Sequence, residues 1–397
     1  MPISRRSLLG AAGASAALAP VTAQAQAKAQ TKAKAAAPAS SDKVGFAVVG
    51  LGKLSLGQII PGLKVARNAR LAAVVSGHPD KARRVAAENG LPADAVYGYD
   101  DYDRIAKDPR IQVVYIVLPN SMHADHTIRA FKAGKHVLCE KPMATTIADA
   151  EAMIAAAKAS DRQLMIAYRC HYEPQNLGVM RRLRAGTLGK PRLVNTTMGR
   201  QADPADPSDA WRLDGPMSGG GALADMGVYG VNAARYLLNE EPVAVRAWGH
   251  TDPADPRFRT TPDLIDWQFR FPSGALANGS TSFNYAPTMA FEVICEKGRL
   301  IADPGAFYGG NRLTVVQGGQ AQPPTSPPEN DQFAREMDWM ADVVRGKAPM
   351  VSTGEEGLQD MRLMKAILDS LAQDGATVKT DWGYRRAVDP AVVVDVA

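Results

Sequence analysis

The stretch that most constrains this chain is "VGFAVVGLGKLSLGQIIPGL", which starts at Val44. A short apolar run reads as a strand, glycines make a turn, and a helical pattern follows. Gly50-x-Gly52-x-x-Ser55 approximates the G-x-G-x-x-G/A fingerprint of dinucleotide-binding βαβ units. In that fingerprint the first glycine permits the tight turn and the second lets a pyrophosphate approach bare backbone. The third position needs a small residue for helix-sheet packing, and Ser55 is small enough. A strand, turn and helix of this kind point to a parallel sheet covered by helices.

About twenty residues on, "RLAAVVSGHPDKA" reads as the second strand, whose end should meet an adenosine ribose. A carboxylate there would bond both ribose hydroxyls and select NAD. Here the position is Ser76, followed by Gly77, with Lys81 five residues later. A serine does not repel a 2'-phosphate and a lysine attracts one, so NADP is expected over NAD. A plain loop serine and a solvated lysine would look the same. Tyr99, in "YGYDDYD", could lie over that edge. "IQVVYIVLPNSMHADHTIRAFKAGKHVLCEKPMA" adds two strands with a helix between them. Pro119 and Asn120 end the first of these where a ligand sits in such a sheet. His123 opens the helix and could equally be a solvated first-turn residue. Glu140 and Lys141, in "CEKPM", fall at the carboxyl edge of the sheet, where a nicotinamide is expected.

From about Gln163 the pattern changes. "PRLVNTTMGR", "AVRAWGHT", "DLIDWQFRFPSGALANGSTSFN", "AFEVICEKGRLIAD" and "RLTVVQGG" are near-alternating strands between Gly/Pro/Asp turns. They predict an antiparallel or mixed sheet with one face on helices. "STGEEGLQDMRLMKAILDSLAQDG" predicts a helix, with Thr353 and Glu356 as a capping box and Gly375 as its stop. "GGGALADMGVYGVN", residues 219 to 232, begins with three glycines that stop any helix. The helical run after them carries Asp225 and Tyr229 four residues apart, on one face and one turn from each other. A capped helix with a core tyrosine would read the same way.

The length suits two domains. The net charge of +5 is modest, and much of the lysine excess sits in the first forty-odd residues, so no nucleic-acid surface is expected. Cys139, Cys170 and Cys295 are odd in number and widely spaced, with neither metal-type spacing nor a disulfide framework. No metal is expected. At the N-terminus, Arg5 and Arg6 precede a short Ala/Gly-rich apolar stretch that ends in Ala23-Gln24-Ala25. Residues 1–25 read as a twin-arginine export signal with an A-x-A cleavage site, too short and weakly apolar to anchor the mature chain. This predicts a periplasmic protein that engages the twin-arginine export machinery. Residues 26–43, "QAKAQTKAKAAAPASSDK", are low-complexity and read as an exposed arm. The arm is expected to pack across a neighbouring subunit and slow cofactor loss. The division is completed by a dinucleotide domain over 44–165 and a substrate-binding and oligomerisation domain over 166–397. The fold class is α/β: an N-terminal Rossmann domain, then a C-terminal α/β domain with a large, mainly antiparallel open sheet.

The chain resembles the Gfo/Idh/MocA oxidoreductases, and within them the periplasmic glucose-fructose branch. "AVVGLGKLSLGQIIPG", "YIVLPNSMHA", "HVLCEKPMAT", "LMIAYRCHYEP", "GGGALADMGVYGVNAARYLL" and "STGEEGLQDMRL" carry the likeness. Most of the wider family has a histidine where this chain has Tyr229. The resemblance implies that Lys141, Asp225 and Tyr229 line a sugar site. It implies further that Gly50, Gly52, Ser76, Lys81, Tyr99, Pro119, Asn120, His123, Glu140, Lys141, Arg169, Trp211, Arg212 and Tyr308 hold or surround the cofactor. Leu51, Lys53, Leu54, Gly77 and Leu118 belong to the same turns. It also implies a tightly bound NADP, sugars as the small-molecule partners, and a homodimer or homotetramer.

Oxidising an aldose at C1 passes a hydride to the cofactor while the hydroxyl loses a proton. A free tyrosine, with a pKa near ~10, is a poor base at neutral pH, and a nearby ammonium lowers that value. The expected roles are Tyr229 as general base and Lys141 as the cation that activates it. Asp225 would hold a sugar hydroxyl or fix the lysine, and the glycines before it would let the sugar approach backbone. With NADP retained, glucose would leave as the lactone and fructose would reset the enzyme as sorbitol. An aldose serving as both donor and acceptor, or another NADP-dependent sugar dehydrogenase, fits the same residues. A zinc alcohol dehydrogenase lacks its ligand spacing. A non-catalytic sugar-binding protein would need no dinucleotide fingerprint.

Overall fold

The computed structural model describes residues 43–327 and 331–394. The export signal and nearly all of the arm therefore lie outside the described residues, and only Lys43 of the arm is included. The first sheet is wholly parallel, with strand order β3-β2-β1-β4-β5-β6. Its strands are β1 (Val44–Val49), β2 (Ala69–Val75), β3 (Val96–Tyr97), β4 (Val113–Ile116), β5 (His136–Glu140) and β6 (Leu164–Ala167). Every residue of β1 and β4 is buried, as expected of strands covered on both faces. The chain reverses direction across the sheet between β1 and β4, so a crevice opens outside the carboxyl ends of those strands. Helices α1 (Ile60–Val65), α2 (Pro79–Glu88), α3 (His123–Lys132) and α4 (Ile147–Ser160) supply the crossovers. Beyond β6 comes α5 (Pro174–Ala185).

The second sheet has nine strands. They are β7 (Pro191–Gln201), β8 (Ala244–His250), β9 (Leu264–Arg270), β10 (Leu276–Ser282), β11 (Asn284–Cys295), β12 (Gly298–Ala302), β13 (Leu313–Gln317), β14 (Gln320–Ala321) and β15 (Val378–Lys379). All pairs are antiparallel except β7 with β10. In β9, Ile265, Trp267 and Phe269 are buried and alternate with exposed residues, which marks a sheet covered on one face. That face meets α6 (Val228–Leu238), while α8 (Gly354–Ala372) packs against β8, and α7 (Gln332–Val344) lies against α1 and β2. The fit of α6 to the sheet is close: a Cβ at Gly230 would sit 2.6 Å from the Thr196 hydroxyl on β7.

Two local expectations need correction. Thr353 does cap α8, its hydroxyl accepting the Glu356 amide at 3.2 Å. The Glu356 carboxylate does not return to complete a capping box, because Arg235, Arg386, Asn232 and Tyr384 claim it. The turn of helix that carries Asp225 is also wider than an α-turn. Residues Leu223–Gly227 form one π-turn, with the Val228 amide bonded to the Leu223 carbonyl, and run directly into α6. Such widened turns are frequent at functional sites.

Candidate active site

The glycine turn forms as the fingerprint requires. Gly50 has φ +91°, and a Cβ there would lie 2.1 Å from the Val117 carbonyl oxygen. Gly52 is exposed, and the space where its Cβ would stand is open. Leu51 turns inward and is buried, while Lys53 and Leu54 open the helix. Free backbone amides and open space at a helix start suit a pyrophosphate. Ser55 does more than stay small: its buried hydroxyl donates back to the Gly50 carbonyl and ties the turn shut. The residues present therefore fit a dinucleotide. Lys53 is paired with Asp206 from the loop before Trp211, which joins the phosphate turn to the second half of the chain.

Ser76 lies just past β2, with its hydroxyl accepting the His78 amide at 3.1 Å, and Lys81 is in the first turns of α2. Tyr99 lies close enough to Gly77 that a Cβ there would come within 2.9 Å of its ring. Leu118 and Pro119 continue from β4, and the Asn120 amide donates to the Ser218 carbonyl at 2.7 Å. Two residues assigned to the cofactor face inward instead. His123 is fully buried, with Nε2 2.9 Å from the Leu118 carbonyl and Nδ1 3.0 Å from that of Pro142. The neutral ring donates to one of these carbonyls and turns its bare nitrogen to the other, so both nitrogens face backbone. Burial lowers its pKa to about 4, against the two carbonyls, so it stays neutral. Glu140 is also buried and accepts the Tyr115 hydroxyl at 2.8 Å. Burial pushes its carboxyl up, against the pull of Lys141.

Lys141, Asp225 and Tyr229 come together at the carboxyl end of β5. The Lys141 ammonium donates to the Asp225 carbonyl at 2.6 Å and lies 3.4 Å from its carboxylate. It stands 4.6 Å from the centre of the Tyr229 ring. The Asp225 carboxylate is shared further with Arg212 at 3.0 Å and Arg200 at 3.4 Å. Burial opposes its ionisation, but the Arg212, Lys141 and Arg200 charges prevail and hold it well below the usual carboxyl range. Arg212 lies over Trp211, 4.3 Å from the ring centre.

The hydroxyl of Tyr229 has a partner that differs from the one expected. It accepts the Nε proton of Arg169 at 3.0 Å, whereas Lys141 meets only the ring. Burial raises the phenol's pKa, and the Arg169 charge works against that rise. Arg169 also lies 4.7 Å from the ring centre of Tyr308, which is half exposed. Of the three glycines before Asp225, Gly219 and Gly221 are closely packed. A Cβ at Gly219 would meet Thr145 at 2.9 Å and one at Gly221 would meet Thr261 at 2.6 Å, and all three glycines have positive φ.

Sequence reasoning missed Arg200, Gln332 and Glu336. Glu336 offers a signal in hindsight, because it lies with Phe333, Met337 and Met340 on the apolar face of α7. It is fully buried, shares the Tyr115 hydroxyl with Glu140, and is raised well above the ordinary range by burial and by Glu140. Among the described residues no group of three or more His, Cys, Asp or Glu side chains could hold a metal, and no helix is long and apolar enough to cross a membrane.

Known proteins agree with this architecture. Residues 44–168 match the model of an oxidoreductase family with an NAD-binding Rossmann fold, and residues 177–301 match the GFO/IDH/MocA C-terminal domain. The D-xylose 1-dehydrogenase [NADP(+)] of Haloarcula marismortui is 30% identical over 86% of this chain and 95% of that protein. The 1,5-anhydro-D-fructose reductase of Ensifer adhaerens is 26% identical over 77% of this chain and 90% of its own. Among solved structures, the aldose-aldose oxidoreductase of Caulobacter crescentus is 40% identical, with a TM-score of 0.81, over 85% of this chain and 99% of its own. With both halves matched and the Gly50 turn, the Lys141 strand end and the Asp225 helix in one fold, the chain belongs to the Gfo/Idh/MocA oxidoreductase family.

Proposed function

We propose that the protein is an NADP-dependent aldose oxidoreductase that oxidises one sugar at C1 and passes the hydride to a second sugar, with the cofactor retained between the two. The observation that carries this reading is the meeting of Lys141, Asp225 and Tyr229 in one cluster beside the crevice of the dinucleotide sheet. Gly50, Gly52, Lys53 and Leu54 would hold the pyrophosphate, with Ser76, Lys81 and Tyr99 around the adenosine end. The dinucleotide, when bound, supplies the hydride acceptor. Tyr229 as phenolate takes the C1 hydroxyl proton as the sugar becomes a lactone, and as phenol it returns that proton to the carbonyl oxygen of the second sugar. Lys141, steadied by Asp225, faces the same sugar oxygen.

The likeness to the Caulobacter aldose-aldose oxidoreductase favours an aldose as acceptor. The glucose-fructose resemblance favours a ketose. The full chain, purified without added cofactor, distinguishes them. Glucose is expected to bring up the reduced-nicotinamide absorbance, and a second aldose to bleach it. Bleaching by fructose alone would transfer the protein to the glucose-fructose type. No absorbance change with any aldose would end the sugar-oxidoreductase reading. Periplasmic work, export through the twin-arginine pathway and a homodimer or homotetramer complete the proposal.

Cofactor choice has its own test. Ser76→Asp places a carboxylate where the 2'-phosphate would lie. The ratio of NADP to NAD affinity is expected to fall at least about tenfold, or about 1.4 kcal/mol. An unchanged ratio would remove Ser76 from the ribose.

A further inference from the structure

We infer that Arg169, rather than Lys141, is the positioning residue that holds the Tyr229 hydroxyl and favours its phenolate, and that Lys141 is committed to Asp225 and the substrate. The inference rests on Tyr229 being the proton-transfer group. Three observations carry it. First, Arg169 is the cation that touches the phenol oxygen, with Nε 3.0 Å away, while Lys141 stands over the ring. Second, the two cations differ in what neutralises them. Lys141 shares its charge with the Asp225 carboxylate. Arg169 is 3% exposed and makes no ion pair with a carboxylate among the described residues. Its remaining hydrogen bonds go to neutral oxygens, Gln332 Oε1 at 2.7 Å and the Ala306 carbonyl at 2.7 Å, with the Phe307 carbonyl at 3.5 Å. A buried guanidinium with no carboxylate in direct contact gains when the hydroxyl it donates to becomes an anion. Third, the fork is fixed from behind. Gln332 donates in turn to the Phe307 and Tyr308 carbonyls, so Arg169 cannot swing from the phenol without breaking that lattice.

The other groups around Tyr229 do not supply the same field. Glu140 and Cys170 oppose phenolate formation. Glu336, behind Glu140, is pushed up by burial and by Glu140, with Arg169 pulling against the rise. Tyr308 meets the guanidinium with its ring face.

The test compares R169Q with K141M in the holoenzyme, and also places a fluorinated tyrosine at 229 so that fluorine NMR follows the phenol directly. R169Q is expected to move the phenol midpoint, and the rising limb of the pH profile for aldose oxidation, upward by roughly one unit or more. K141M is expected to lower the rate at every pH while moving the midpoint less than R169Q does. R169K keeps the charge without the fork and should give a smaller upward shift; it serves as the test if R169Q does not fold. A midpoint that ignores both Arg169 variants, or moves more in K141M, overturns the inference. Loss of the base itself is a separate result: a Y229F protein with wild-type hydride transfer would remove the reading beneath it.

Discussion

Tyr229→Phe is expected to cut single-turnover reduction of the bound nicotinamide by glucose by roughly 10²–10⁴, the usual weight of general acid-base catalysis. The substitution removes one oxygen. The ring remains, with Lys141 at 4.6 Å and Arg169 at 4.7 Å from its centre. Packing and the cationic surroundings are therefore preserved, and the cofactor should stay bound, because the Tyr229 ring is not expected to hold the phosphates. Only the hydroxyl contact with Arg169 is lost. A tyrosine that merely filled a core would show the reverse pattern, with some loss of stability and little loss of rate. Stopped-flow reduction and a denaturation curve on the same variant separate the two. Near wild-type reduction would leave the base unassigned.

What could be read from the sequence and what could not divide by distance along the chain. The Gly50 turn, the strand before it and the helix after it all fall between Val44 and Val65, so local chemistry writes them plainly. The strands of the second sheet were legible through alternation, as in Ile265, Trp267 and Phe269. Asp225 and Tyr229 were legible as a pair because a helix sets their separation, although the π-turn between them left no mark in residue type. The partners of those side chains were not legible. Arg169 is 60 residues from Tyr229 and 163 from Gln332. Nothing in "YRCHY" says that the arginine will meet a phenol and not a phosphate. His123 and Glu140 show the converse difficulty. Both sit at the edge where ligands bind, but each is turned inward by a buried partner supplied by another segment, Pro142 for one and Tyr115 for the other. Position along the strand was readable, and side-chain direction was not.

The same helix that presents Tyr229 is anchored by a charge cluster, and breaking the cluster is expected to be the most destabilising single change in the fold. Arg235, two turns beyond Tyr229, is fully buried. Its guanidinium reaches Glu241 at 2.7 Å, Glu356 at 3.1 Å and Asp360 at 2.5 Å. Arg386 adds a second cation on Glu356 at 2.6 Å, and Asn232 links Glu356 and Asp360 to His171. Two arginines thus face three carboxyl groups. At Asp360 burial, opposed by Arg235 and aided by Glu356, pushes the carboxyl up. Arg235→Met would leave those carboxyls facing one another with only Arg386 between them. Removing one partner from a buried ionic cluster typically costs about 3–5 kcal/mol, because the remaining charges have lost their solvent and gain nothing in return. Arg235→Lys should recover part of this, since one ammonium cannot bridge three carboxyl groups as a planar fork does. Urea or guanidinium unfolding of the holoenzyme measures the loss. Met and Lys variants both within about 1 kcal/mol of wild type would mean that the cluster, for all its contacts, only balances the desolvation it requires. A loss of the expected size would place the stability of the helix that carries Tyr229 in Arg235, with the Gly230 and Thr196 packing as its second support.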